Sequence, residues 1–141
     1  MKNIYKLLTL VFLYFLQYNC YSQQLVLKTS DVHKLAENKE QFINQPLKKL
    51  LNEIKPEIKT ANPLNSELSF VFGFRWTTLT QQRKREGSIT DRVTLLVYVK
   101  QFIQWNWNER PIGNEIAWTQ QDSYKYGDLT VIDIEVILPK D

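Results

Sequence analysis

Hydrophobic residues in the first half of this chain recur at the spacing of α-helices. One helix is predicted to begin at Asp31, behind Thr29 or Ser30, either of which offers a side-chain oxygen as a cap. A second helix is predicted to follow Asn44, a capping residue, with Pro46 in its first turn, where a missing N–H costs nothing. The apolar faces of the two helices are formed by Val32, Leu35, Ala36, Phe42 and Ile43 and by Leu47, Leu50, Leu51 and Ile54, respectively.

The hydrophobic pattern in the second half of the chain has a period of two, which is typical of β-strands. Strands are predicted over residues 68–80, 92–107 and 129–138, and a short additional strand over 24–28 precedes the helices. The residues expected on the core side are Phe70, Phe72, Phe74 and Trp76 in the strand 68–80, Val93, Leu95, Val97 and Val99 in 92–107, and Ile132, Ile134 and Val136 in 129–138.

The order of these elements predicts the fold class. Helices followed by a run of strands favour an α+β fold, with the N-terminal helices packed on one face of a curved antiparallel sheet of three to five strands. The polar stretch 81–90 is too short for a crossover helix, so the strands on either side of it should form a hairpin. Over about 110 residues this order resembles a cystatin-like roll or the cone-shaped fold of the nuclear-transport-factor-like superfamily. The resemblance implies an architecture and no functional residue.

Residues 1–22 have the order of an export signal. Lys2 and Lys6 precede an apolar block, Leu7–Leu16, and small residues follow it. The block is too short to remain in a bilayer as a spanning helix, which needs about 20 apolar residues. We therefore predict cleavage after residue 22 and a single exported domain over 23–141, located in the periplasm or secreted.

Cys20 offers an alternative reading of the same segment, in which it carries a lipid and becomes the first residue of the mature chain. Gln17 and Asn19 differ from the residues usual at those positions of a lipidation motif. An uncleaved anchor is the third possibility. Cys20 is the only cysteine in the sequence, so a chain cut after Ser22 contains no disulfide, thiolate nucleophile or cysteine metal ligand.

The charge of the chain gives no general case for binding to nucleic acid. Loss of Lys2 and Lys6 with the signal lowers the formal net charge from +3 to +1, which is nearly neutral. A membrane partner is expected only if Cys20 is lipidated or the signal stays in place. The four glycines are isolated from one another, so the sequence contains no glycine-rich phosphate-binding loop.

Aromatic residues near the end of the chain are the strongest candidates for a binding surface. Tryptophan and tyrosine bury a large area while keeping a polar group, which suits a pocket or a partner surface. The alternative is that the same rings close one end of the core. The residues concerned are Trp105, Trp107, Trp118, Tyr124 and Tyr126.

Arg83, Lys84 and Arg85 form a compact basic patch, which we place at the tip of the predicted hairpin. Three adjacent cations can hold a phosphate, a sulfated glycan or a lipid head group. The alternative is a solubilising turn, because Glu86 follows at once. We include the three residues as tentative binding residues.

Acid–base chemistry has few candidates in this sequence. His33, the only histidine, lies one helical turn from Glu37, which can orient it as a general base. No serine lies in a Gly-x-Ser-x-Gly turn, which argues against a serine hydrolase. Four acids lie close to the tryptophans in the segment before the last strand and could act in pairs on a glycosidic bond. They are Glu109, Glu115, Asp122 and Asp128.

Taken together, these patterns favour an exported, non-catalytic binding domain without a cofactor or a metal, whose ligand is a protein or a small molecule. One alternative is a small cofactor-free hydrolase or isomerase that uses carboxylates as acid and base, which requires a buried acid with a raised pKa. Another alternative is a structural component of the envelope that assembles through an open edge strand.

Overall fold

Four antiparallel strands form one sheet, in the order in which they occur along the chain. The computed structural model describes residues 23–140 and, before them, Lys6 alone. Apart from that lysine, the predicted export signal and the lipidation candidate Cys20 lie outside the described residues. The strands are β1 (Thr60–Asn65), β2 (Phe70–Arg75), β3 (Thr94–Val99) and β4 (Val131–Ile137).

Among the described residues, two short α-helices precede the sheet and two more lie in the connections from β2 to β3 and from β3 to β4. In the part of the chain that the structure describes, no helix is long and apolar enough to cross a lipid bilayer. The combination of short helices with an antiparallel sheet confirms the predicted α+β fold class. The α-helices are α1 (His33–Glu37), α2 (Leu47–Leu51), α3 (Leu79–Lys84) and α4 (Gln120–Tyr126), and single 3₁₀ turns lie at Thr29–Asp31, Lys39–Gln41, Ile89–Arg92 and Trp107–Glu109.

One face of the sheet carries the core. Phe72 of β2 lies opposite Val97 of β3, which in turn lies opposite Ile134 of β4, and all three side chains are buried. Leu35 of α1 and Leu47 of α2 belong to the same buried cluster. The N-terminal helices therefore pack on one face of the sheet, as the order of elements predicted, because this is how both apolar faces leave water.

The connection between β2 and β3 contains α3, which the sequence pattern did not predict. The two strands do form the predicted antiparallel hairpin. Arg75 and Thr60 point to the side of the sheet away from Phe72, and Gln82 of α3 bonds to both of them. Its Oε1 accepts a hydrogen bond from Arg75 at 3.2 Å, and its Nε2 donates to Thr60 Oγ1 at 2.8 Å. This polar network attaches α3 to the face opposite the core.

β1 is a strand that the sequence pattern missed. Asn62, Pro63 and Asn65 are all residues that strands disfavour, so the segment reads as a loop. It forms a strand at the edge of the sheet, where proline is tolerated because one side of the strand needs no ladder. A tight turn to β2 holds it in place, in which the Ser66 N–H donates to the Ser69 carbonyl at 2.9 Å.

The predicted strand 92–107 is wrong in its length. β3 ends at Val99, which pairs with Phe70, the first residue of β2, and with Val131, the first residue of β4. Because both neighbouring strands stop at this level, the chain beyond Val99 has no ladder to continue. Residues 100–106 leave the sheet as an irregular segment.

A β-bulge in β4 corrects one predicted core residue. Tyr98 pairs with Asp133 and Val99 pairs with Val131, so Ile132 is an extra residue without a partner of its own. The shift buries Val131 completely and leaves Ile132 partly exposed. The prediction that Ile132 faces the core is therefore wrong.

The first predicted helix is interrupted in its middle. Residues 29–41 form α1 flanked by two 3₁₀ turns instead of a single helix. Asn38 ends α1, and its side-chain Nδ2 donates to the Lys34 carbonyl at 2.8 Å. An asparagine that satisfies the backbone in this way competes with helix continuation.

The second predicted helix forms, but with other ends. Asn44 does not cap it: this residue has a left-handed φ of 60°, and its N–H donates to the Val131 carbonyl at 2.8 Å. Pro46 occupies the cap position and the helix ends at Leu51. Residues 24–28 form no regular strand, because they contribute a single parallel bridge to Ile54.

Candidate functional site

Aromatic side chains from distant parts of the chain meet on the core face of the sheet. The ring centroid of Phe72 lies 5.6 Å from that of Trp118 and 5.5 Å from that of Tyr126. Trp105 stacks on Tyr126, with an angle of 17° between the planes. Trp105 and Tyr126 are 7% and 4% exposed, so these two predicted site residues help to close the core.

Arg110 holds this aromatic cluster to α4. Its guanidinium carbon lies 3.6 Å from the ring centroid of Trp105, and its Nη1 donates to the Ala117 carbonyl at 2.9 Å. It also forms an ion pair with Asp122, which accepts hydrogen bonds from Thr119 at the start of α4. The Arg110 and Asp122 side chains are 14% and 10% exposed. This buried pair therefore fixes the segment between β3 and α4.

Trp107 and Phe102 border a surface groove beside this cluster, with a volume of about 500 Å³. Trp107 is 50% exposed and Phe102 is 69% exposed. The Trp107 ring meets Trp105 edge-on, with centroids 6.4 Å apart. Trp105 is fixed in turn, because its Nε1–H donates to the Glu115 carbonyl at 3.2 Å. The aromatic groove, as we call it, is lined by Pro63, Asn65, Phe70, Phe102, Ile103, Gln104, Trp105 and Trp107.

Trp118 and Tyr124 lie at a different surface, between α2 and α4. Two adjoining hollows of about 560 and 540 Å³ meet there and share Leu51, Gln120 and Ser123. The Trp118 Nε1–H donates to Ser123 Oγ at 3.0 Å, and Tyr124 is 77% exposed. The structure thus divides the predicted aromatic residues between two surfaces and the core.

The basic residues Arg83, Lys84 and Arg85 lie apart from the aromatic groove. The first two end α3, and Arg85 follows with a left-handed φ of 56°. All three side chains are exposed on the connection between β2 and β3, which is where the sequence pattern placed them. None of the three lines the aromatic groove or the surface between α2 and α4.

Two of the acids near the tryptophans, Asp122 and Glu115, make structural contacts. Asp122 forms the ion pair with Arg110 and accepts a hydrogen bond from the Thr119 N–H at the start of α4. Glu115 accepts a hydrogen bond from the Gly113 N–H at 2.8 Å, which lowers the pKa of its carboxyl group. Glu109 is exposed to solvent. A general acid needs a pKa shifted in the opposite direction from that of Glu115.

The remaining acid–base candidates lie at the surface. His33 Nδ1 donates to the Ser30 carbonyl at 2.8 Å, and its Nε2 is 3.9 Å from Glu37 Oε1. Asp128 pairs with Lys48 at 2.6 Å, and both side chains are exposed. Within residues 23–140, no group of three His, Cys, Asp or Glu side chains is arranged to hold a metal ion.

The sequence pattern did not indicate several residues that line or support the aromatic groove. Pro63 and Asn65 come from β1, the strand that the hydrophobic pattern did not predict. Phe102 falls within the predicted strand 92–107, but β3 ends before it. Arg110 gave no signal in the sequence, because its partners Asp122 and Trp105 become neighbours only after folding.

We found no protein-family model, no curated protein and no solved structure that matches this chain.

Proposed function

We propose that this protein is an exported, non-catalytic binding domain and that its ligand occupies the aromatic groove. The observation that carries the proposal is the contrast between two neighbouring tryptophans. Trp105 is buried and held by Arg110, Tyr126 and the Glu115 carbonyl, whereas Trp107 packs against it and keeps half of its side chain in solvent. Tryptophan is among the residues most enriched at binding hot spots, and the exposed part of this ring is available to a ligand.

Rigidity matters because binding must overcome the entropy of ordering the groups that form the site. A side chain that is already fixed loses little freedom when a ligand arrives, so more of the contact energy appears as affinity. Trp107 meets this condition through its edge-on contact with Trp105. The volume of about 500 Å³ lies within the range of about 300–1,000 Å³ that is common for small-molecule sites.

Export is the second part of the proposal, and it is supported by the basic, apolar and small-residue order of the first 22 residues. We expect the protein recovered from its native host to begin at Gln23. Intact-mass spectrometry with N-terminal sequencing measures this directly. A diacyl or triacyl mass on Cys20 would contradict a released domain and would indicate a membrane-tethered one.

The groove itself is tested by mapping where small uncharged molecules bind. We expect phenol, indole and cyclohexanol, each at about 10 mM, to shift the amide NMR signals of Leu64, Asn65 and residues 102–107. Trp107→Ala should abolish most of these shifts without unfolding the domain, because the side chain is half exposed. ¹⁵N–¹H correlation spectra of the two proteins provide the measurement.

Tyr124→Ala is the matched control for this experiment. It removes another exposed aromatic ring from the surface between α2 and α4, so the shifts in the aromatic groove should persist. Shifts concentrated around Trp118 and Tyr124 would place the binding surface there and would contradict the proposal. Shifts scattered evenly over the domain would contradict it as well.

A further inference from the structure

The lining of the aromatic groove is uncharged. Its eight residues are aromatic, aliphatic, proline or amide side chains, and none is Asp, Glu, Lys, Arg or His. A charged ligand would lose hydration in this groove without gaining an opposite charge, which is unfavourable. The basic patch of Arg83, Lys84 and Arg85 is not part of the lining and supplies no compensation. The groove chemistry therefore favours a neutral ligand.

The groove combines flat apolar surfaces with accessible amides. Phe102 and Trp107 are largely exposed, and the Pro63 ring adds a third apolar surface. Asn65 and Gln104 are exposed beside them, and each amide carries donor N–H groups and an acceptor oxygen. A matching ligand presents an apolar face to the rings and hydroxyl groups, which both donate and accept, to the amides.

From this lining we infer that the aromatic groove binds a neutral glycan chain, an inference that rests on the proposed binding function of the same groove. A pyranose ring has an apolar C–H face that packs on Trp107 or Phe102 and an equatorial edge of hydroxyl groups within reach of Asn65 and Gln104. Its hydroxyls use both the donors and the acceptor of each amide. The neutral lining excludes uronic-acid and sulfated glycans from the preferred class.

A proline-rich peptide is the rival occupant, because such peptides also dock in aromatic grooves. An extended proline-rich backbone presents carbonyl acceptors and requires N–H or O–H donors from the groove. The Asn65 and Gln104 amides and the exposed Trp107 indole can supply such donors. The Trp105 indole N–H is committed to the Glu115 carbonyl, and no tyrosine is among the lining residues. The amide oxygens of Asn65 and Gln104, however, would find few donors on such a peptide, whereas glycan hydroxyls supply them. These observations favour the glycan.

The test is a titration of the full mature domain with neutral hexasaccharides. Cellohexaose, xylohexaose, mannohexaose, maltohexaose and chitohexaose are added separately while the indole N–H signals of Trp105 and Trp107 are followed by NMR. We expect saturable shifts with at least one of them, at a Kd of about 0.1–1 mM. Trp107→Ala should weaken this binding at least about tenfold, whereas Tyr124→Ala should leave it unchanged.

Two further titrations distinguish the ways in which the inference could be wrong. Oligogalacturonate tests the charge argument, and binding as tight as that of the neutral glycans would overturn the neutral class. Decaproline tests the rival occupant. If decaproline binds in the groove, if its binding requires Trp107, and if no hexasaccharide binds up to about 10 mM, the glycan inference is wrong while the proposed function stands. If neither probe class nor the uncharged fragments bind in the groove, both fall. Glycan binding that persists in Trp107→Ala and Phe102→Ala also overturns the inference.

Discussion

Phe72→Ala is expected to lower the free energy of unfolding by about 3–5 kcal/mol, the usual cost of removing a buried aromatic ring. Phe72 is completely buried at the centre of the sheet. Its ring contacts aromatic rings from β2, from the segment after β3 and from α4, so the cavity would open where several elements meet. The neighbouring rings are Phe70, Phe74, Trp105, Trp118 and Tyr126.

Urea unfolding followed by tryptophan fluorescence measures this loss, and Phe102→Ala is the matched control. The chemical change is the same, but Phe102 is largely exposed, so its removal should cost less than about 0.5 kcal/mol. Domains of this size are stable by about 5–15 kcal/mol, so Phe72→Ala approaches the limit of folding. Phe72→Leu, which preserves most of the volume, should lose about 1 kcal/mol and provides a value if the alanine variant does not fold. Equal losses for Phe72→Ala and Phe102→Ala would contradict the assignment of the core.

The central part of the fold was predictable because its sequence pattern has one interpretation. The alternation of Phe70, Phe72 and Phe74 permits a strand with one apolar face, and an apolar helix must then cover that face. The edges of the fold were harder to predict from the sequence. β1 contains asparagine and proline and becomes a strand only because β2 offers it a ladder. β3 ends where β2 and β4 end, and the residues of β3 alone do not indicate that end point.

The two helices that the hydrophobic pattern missed did carry a local signal. Thr78 and Gln81 form a capping box at the start of α3, and Thr119 and Asp122 form another at the start of α4. In each box the first side chain accepts a backbone N–H and the fourth residue reaches back, which satisfies two donors that a helix leaves open. Both helices are short and have little apolar periodicity, so the capping boxes were the sequence feature that indicated them.

The candidate site was predictable in its chemistry and not in its geometry. Tryptophans at 105 and 107 indicated an aromatic surface, but an extended strand would have placed both on one face. The structure buries Trp105 beneath the Arg110 guanidinium and against Tyr126, and it exposes Trp107 instead, because the strand ends at Val99. A single arginine in a polar segment has no partner that the sequence identifies, so a contact of this kind is found only in three dimensions.

Arg110→Ala should therefore destabilise the domain by about 3 kcal/mol or more, because it leaves Asp122 buried without its partner cation. The same change removes the guanidinium from the Trp105 ring and the hydrogen bond to the Ala117 carbonyl. Chemical unfolding measures the loss. Lys48→Ala is the matched control: it breaks an exposed ion pair with Asp128 and should cost less than about 1 kcal/mol.

A double-mutant cycle separates the ion pair from the other contacts of Arg110. Asp122→Ala also removes the hydrogen bonds that the Asp122 carboxylate accepts from Thr119 in the capping box of α4, which contribute about 1 kcal/mol on their own. If the two charges stabilise each other, Arg110→Ala combined with Asp122→Ala should lose less than the sum of the single losses, with a coupling energy of about 1–3 kcal/mol. Strict additivity would mean that Arg110 acts through Trp105 and Ala117 alone. In that case Trp105, against which Trp107 packs, would be held by the cation over its ring and not by the buried ion pair.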